Sequence, residues 1–256
     1  MDPPQPPRPD LPAGRPPGPG DPPPATWRAI EALPVVLIAL GATLVAGLVL
    51  EVFYPATISA TGKATPPPAY FAFINVIAEL ALAVSVVVWV RWINRGSLAA
   101  LGMPRRPVGD ILAGAVTGAA LILVAGVTLE VIRSITQAIL GHHLSTPKQI
   151  PGDVRGWPLA VTGVAVVALA PLGEELFFRG FLYKGLRRRY PVWAATVISS
   201  ILFGLSHVQP LLIPALAVVG AGLALVYERR KSLLASMTAH ATFNLVGFLT
   251  IALSRR

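Results

Sequence analysis

The chain has 256 residues, 54% of them hydrophobic and only 13% charged, with a mean hydropathy of +0.66. A water-soluble globular protein cannot carry so apolar a composition, which points to a membrane protein. The net charge of +9 does not indicate nucleic acid, because the arginines and lysines sit mainly in short connections between apolar runs, a pattern of membrane topology. With no cysteine, disulfides, thiol nucleophiles and cysteine-held metals are excluded.

In chain order, residues 1–26 come first as an expected disordered, proline-rich cytoplasmic tail, holding nearly half of the 26 prolines. No secretory leader is read ahead of the first apolar run, which is expected to be a retained anchor. Seven apolar helices are predicted at about 31–53, 70–94, 110–135, 158–184, 191–207, 211–228 and 232–253. Long Ala, Leu, Val and Gly runs without strict alternation favour helices over a barrel. The expected fold class is therefore all-α: a polytopic transmembrane bundle of about seven helices with an intramembrane polar site. Residues 27–157 are expected to form its N-terminal helices without an assigned motif, and 158–253 the helical core that holds this polar site.

The connections "RWINRGSLAALGMPRRPVGD", "KGLRRRY" and "ERRK" fall on one side of such a bundle, which predicts a cytoplasmic N-terminus in a multi-pass protein of the cell membrane. The C-terminal "SRR" would then lie on the opposite side, against the trend. The loop from Gly141 to Gly156 is predicted to cross the outer face. His142 and His143 within it are read as solvated, a metal role being the less favoured option.

The stretch "PLGEELFFRG", Pro171 to Gly180, places two glutamates and an arginine in an apolar helix. Charged groups are costly in lipid and normally face protein or a wet cavity. Glu175 and Arg179, four apart with the acid first, form a favourable helical pair. Glu174 is rotated about 100° away and is free to point toward a cavity. Counted at about 1.5 Å per residue from the basic loops, Glu174, His207, His240 and Asn244 reach comparable depths on three helices. His240 shares a face with Asn244, and Phe203 with His207.

Alone, each feature has a plainer reading: a neutralised ion pair, a packed histidine, an interhelical hydrogen bond. Together they suit a hydrolase without a covalent nucleophile. Glu174 and His207 would hold a water, and His240 with Asn244 would donate hydrogen bonds to the oxyanion formed when that water attacks a carbonyl. The same residue types suit a catalytic zinc held by Glu174, His207 and His240 with water as fourth ligand, although HExxH spacing is absent. Ser206 points away from His207 and is not read as a nucleophile. Glu51 lies at the end of an apolar run, and Glu130 is three residues from Arg133 and expected to pair with it. Glu79 has no local partner, and is the best sign of a second polar site or a proton pathway.

These residues in this order resemble the CPBP family of intramembrane proteases, which includes type II CAAX-prenyl endopeptidases and proteins linked to bacteriocin processing or self-immunity. Glu174, Glu175 and Arg179 match its Glu-Glu-x-x-x-Arg stretch, Phe203 and His207 its Phe-x-x-x-His, and His240 and Asn244 its His-x-x-x-Asn; the likeness covers about 158–248. The resemblance implies an integral-membrane endopeptidase of the metalloprotease or glutamate-protease class acting on a peptide or protein substrate at the lipid bilayer. In it Glu174 and His207 would activate water, His240 and Asn244 would stabilise the transition state, and Glu175, Arg179 and Phe203 would support the site. A metal-free, glutamate-activated water is ranked slightly ahead of zinc. A prokaryotic-looking chain of this Ala, Gly and Pro usage is expected to cut something other than prenylated CAAX proteins. The competing expectations are a proton-coupled transporter, using Glu79, Glu174 and the histidines as a relay, and a non-catalytic scaffold or immunity protein. Inverted hydropathy repeats, which would favour transport, are not seen.

Overall fold

The computed structural model describes residues 23–58, 64–102, 104, 106–141 and 149–254. Most of the expected tail, together with His142, His143 and Arg256, lies outside the described residues. The fold is the all-α polytopic bundle expected, with seven long helices among the described residues. We label them α1 (Ala32–Phe53), α2 (Pro68–Val88), α3 (Pro107–Leu140), α4 (Gly156–Arg187), α5 (Val192–Ser206), α6 (Ile213–Arg230) and α7 (Leu233–Leu253). Among the described residues, five segments are long and apolar enough to cross a membrane, those containing α1, α2, α3, α4 and α7. Their large side chains point outward: Leu33, Leu37, Leu44 and Leu48 of α1 are all exposed, while Val35 and Ala39 are buried. A helix apolar on every face, with its bulkiest residues outside, is solvated by lipid. The chain is a multi-pass membrane protein.

Several boundaries differ from the sequence reading, for local reasons. Helix α3 continues to Leu140, because nothing in "TQAIL" breaks a helix, and it stops at Gly141, whose φ of 73° closes the C-terminus in the left-handed region. Two residues on either side of 59–63 pair as a short antiparallel arm, Thr57 with Thr65 and Ile58 with Ala64. Strands of two residues leave no alternation in the sequence that could announce them.

Helix α5 has only 15 residues, about 22 Å, against a hydrocarbon core of roughly 30 Å. Starting from the basic turn at Arg187–Tyr190, it therefore ends short of the far side, with His207 at its tip. Helices α3 and α7 are pressed together by small residues: a side chain on Gly114 would strike the Ala235 carbonyl, and one on Gly118 the Ala239 carbonyl.

The basic connections gather at one end of the bundle. Arg230 pairs with Asp110 at 2.7 Å, Arg187 reaches Glu228 at 3.7 Å, Lys231 also pairs with Glu228, and the Tyr227 hydroxyl donates to the Leu101 carbonyl at 2.8 Å. The chain ahead of α1 docks at this end. Trp27 is fully buried, stacked on Phe181 at 5.1 Å, and donates from its indole N–H to the Phe181 carbonyl at 2.8 Å.

Candidate active site

Helix α4 carries "EELFFR" through the middle of the bundle and is not a regular α-helix. It widens to π geometry at Ala165–Leu169, returns to α at Ala170–Glu175, and widens again at Leu176–Tyr183. Pro171 explains the first widening. It has no N–H for Val167, and its ring would crowd that carbonyl in a regular α-helix. In the widened turn the Ala170 N–H bonds five residues back, to the Ala165 carbonyl. The Val166 carbonyl would next look to residue 171, which is the proline. Asn244 fills that gap from α7, donating its side-chain amide to the Val166 carbonyl at 2.8 Å. One of the two amide N–H bonds of Asn244 is thus committed to the backbone of α4, and the other remains.

The second glutamate lies at the centre of a buried charge network. Glu175 is 0% exposed and Arg179 1%; their ion pair, expected from the spacing, closes at 2.7 Å. Arg179 also donates to the Gly220 carbonyl of α6 at 2.9 Å and lies over the Phe203 ring at 4.6 Å. His240 brings its Nδ1 to 3.0 Å from Glu175 Oε1. The histidine of α7 therefore bonds the braced glutamate and not its neighbour Glu174. Phe203 of α5 joins the set, its ring 5.1 Å from that of His207 and 5.7 Å from that of His240.

Hydrogen-bond chemistry assigns the ring protons. A carboxylate and a backbone carbonyl only accept, so His240 carries a proton on Nδ1 toward Glu175. His207 carries one on Nδ1 toward the Phe203 carbonyl at 2.9 Å. Nε2 of each ring makes no hydrogen bond among the described residues. Ser206 donates its hydroxyl to the Phe203 carbonyl at 2.8 Å and also lies 3.4 Å from His207 Nδ1, so, against the sequence expectation, it does not point away from that histidine.

Glu174 is partly buried, and its Oε2 is enclosed without a hydrogen-bond partner. Across from it stands Glu79 of α2. A Cβ placed on Gly173 would lie 2.7 Å from the Glu79 carbonyl oxygen and 3.0 Å from Glu79 Oε2, so α2 and α4 touch where residue 173 has no side chain. Sequence spacing could not reveal this neighbour, because it comes from a helix nearly a hundred residues away. The lone acid in an apolar span was the available signal. Glu51 instead accepts from the Ala56 N–H at 2.9 Å, and Glu130 pairs with Arg133 at 3.6 Å at the surface of α3.

For a metal, the ring tautomers are suitable, since a ligating histidine usually donates its second N–H to a carboxylate or carbonyl. The grouping is not suitable. Among the described residues no three His, Asp or Glu side chains come together as a set that could hold an ion, and Glu174, His207 and His240 do not form a ligand triad in this arrangement.

Residues 156–246 match the family model for the Rce1-like type II CAAX prenyl endopeptidases. This segment is a CPBP-family, Rce1-like domain. The match begins at the first residue of α4 and ends within α7, so all of Glu174, Glu175, Arg179, Phe203, His207, His240 and Asn244 lie in the Rce1-like segment. Helices α1 to α3, with Glu79, lie outside it. No curated protein and no solved structure matches the chain. The match supports a relation of this segment to a family of membrane endopeptidases of the CAAX type.

Proposed function

We propose that the protein is an intramembrane peptidase that hydrolyses a peptide bond of a membrane-associated substrate with a water activated by Glu174 and His207. The observation that carries this reading is the placement of an unpartnered Glu174 oxygen beside a network that fixes the neighbouring groups. Arg179 neutralises Glu175, Glu175 orients His240, and Glu174 is left as the carboxylate without a structural task.

In this mechanism Glu174 accepts a proton from water as the water oxygen bonds to the substrate carbonyl carbon. The carbonyl oxygen becomes an oxyanion and needs donors. His240, held through Nδ1 on the Glu175 carboxylate, presents its Nε2 edge to that oxygen. Asn244 contributes the N–H that Val166 does not use. As the C–N bond breaks, Glu174 returns the proton to the leaving amine. We further propose a cytoplasmic N-terminus, on the ground that the basic connections share one end.

The test is Glu174→Gln in purified, membrane-reconstituted protein, with substrates trapped by that variant and identified by mass spectrometry. A peptidase loses cleavage while the variant stays inserted and accumulates uncut substrate. Cleavage at the wild-type rate would overturn the assignment, and a cellular phenotype that survives the substitution would mark a scaffold. Zinc at about one per chain, lost on His207→Ala or His240→Ala, would replace the metal-free water with a zinc-bound one.

A further inference from the structure

The cations at the basic end of the bundle fall into two groups. Lys184 donates to the Ala100 carbonyl and Arg188 to that of Trp27, while Arg187, Arg230 and Lys231 pair with Glu228 or Asp110, so these five are spent inside the protein. Arg91, Arg95, Arg106, Arg189 and Arg229 are exposed, and among the described residues none of their side chains has a hydrogen bond or an ion pair. The acids described at this end are already engaged: Glu228 and Asp110 in the pairs above, and Glu31 as acceptor from the Trp89 indole at 2.9 Å and the Asn94 amide at 3.0 Å. The unbonded five stand at or beside the ends of α2, α3, α4 and α6. Large apolar side chains are exposed next to them. Trp92, beside Arg91, is 65% exposed, and Trp193, four residues after Arg189, is 72% exposed. Indoles rest at the level of lipid headgroups, and an arginine there lays its apolar stem along the hydrocarbon and extends its charge outward.

We propose that these five arginines form a contact surface for anionic phospholipid, whose phosphate-bearing headgroups supply the counter-charges that the protein does not. Two observations favour a lipid leaflet over a soluble acidic partner. The arginines are divided among four helix ends, whereas one docked protein would need them on a single face. The exposed indoles flank them where α2 leaves and α5 enters the apolar span. Each guanidinium offers paired N–H donors to phosphate oxygens. Among the described residues the opposite end has no such set: there Glu130 pairs with Arg133, Arg155 bonds the Gly152 carbonyl, and Glu51 and Asp153 add negative charge. Attraction to an anionic leaflet is worth about fivefold in affinity for each basic side chain near its surface. Lipids against the basic end are therefore enriched in anionic species, and those against the other end are not. This surface does not depend on the hydrolytic reading, since it concerns which lipid solvates the protein.

The test uses the full-length chain with Trp157→Phe, which removes the exposed indole of the opposite end and leaves Trp92 and Trp193 as exposed reporters. The protein is placed in vesicles of phosphatidylglycerol and phosphatidylcholine, with bromine on the acyl chains of one lipid at a time, and indole quenching reads which lipid lies against these residues. Brominated phosphatidylglycerol should quench as if enriched at least about threefold over its bulk share. That preference should vanish when all five arginines are replaced by Gln, persist when they are replaced by Lys, and shrink in about 1 M salt. Arg155→Gln, at the other end, should leave it unchanged. Should the glutamine protein fail to insert, the salt series reads the same preference in the unaltered arginine set. Equal quenching by the two lipids, or a preference unmoved by the glutamines or by salt, would overturn the proposal. Salt-sensitive binding of polyglutamate by protein that shows equal quenching would instead assign the arginines to a soluble acidic partner.

Discussion

His240 Nδ1 and Glu175 Oε1 lie 3.0 Å apart, joining helices that are 65 residues apart in sequence. This bond, with Arg179 on the same carboxylate oxygen at 2.7 Å, makes Glu175 the keystone of a buried charge set. Glu175→Gln keeps an acceptor for the ring N–H but takes from Arg179 the counter-charge it is bonded to. Breaking a buried pair from one side costs about 3–5 kcal/mol. Thermal unfolding in detergent should therefore fall clearly for Glu175→Gln and little for Glu174→Gln, whose buried oxygen has no partner to lose.

The Asn244 amide and the Pro171 ring are two halves of one adjustment. Asn244→Ala orphans the Val166 carbonyl and should cost about 1–3 kcal/mol. Pro171→Ala supplies a backbone N–H that this carbonyl or that of Val167 can take. The double variant should recover part of the loss, a non-additive result readable from a double-mutant cycle of unfolding midpoints. Strict additivity would mean that the proline does not create the need for the amide.

Gly173→Ala should separate α2 from α4. The added methyl would fall 2.7 Å from a backbone oxygen, which cannot swing aside as a side chain would. Overpacking of this kind costs about 1–3 kcal/mol. A lowered unfolding midpoint is the expected result, with peptidase activity falling more steeply than stability because Glu174 sits on the displaced turn.

Trp27→Ala removes the stacking on Phe181 and the indole bond to its carbonyl. Replacing a buried tryptophan costs about 3–5 kcal/mol. Trp27→Phe should restore most of the stacking and none of the hydrogen bond, so its unfolding midpoint should fall between those of the wild type and the alanine variant.

Much of this arrangement is legible in the sequence, and the limits of that legibility have physical causes. Apolar runs near the bilayer thickness reveal the spans, and spacing of four within a helix reveals the Glu175–Arg179 pair and the Phe203–His207 contact. Spacing within a helix does not fix how one helix is rotated against another. For that reason it could not tell that His240 turns to Glu175 or that Glu79 meets the Gly173 turn. Nor could it reveal Val166 as the partner of Asn244, because that bond exists only where α4 departs from regular geometry. Pro171 was the visible clue: a proline deep in an apolar run implies a carbonyl that must find its donor elsewhere.

The widened turn at Ala165–Leu169 amounts to one surplus residue in an otherwise regular coil. Excising a single residue there would leave hydropathy, motif and span length nearly untouched, yet swing the acidic dipeptide through about 100° relative to the start of α4. A sequence shortened in this way would keep every signature of the family and aim its acid at the wrong wall.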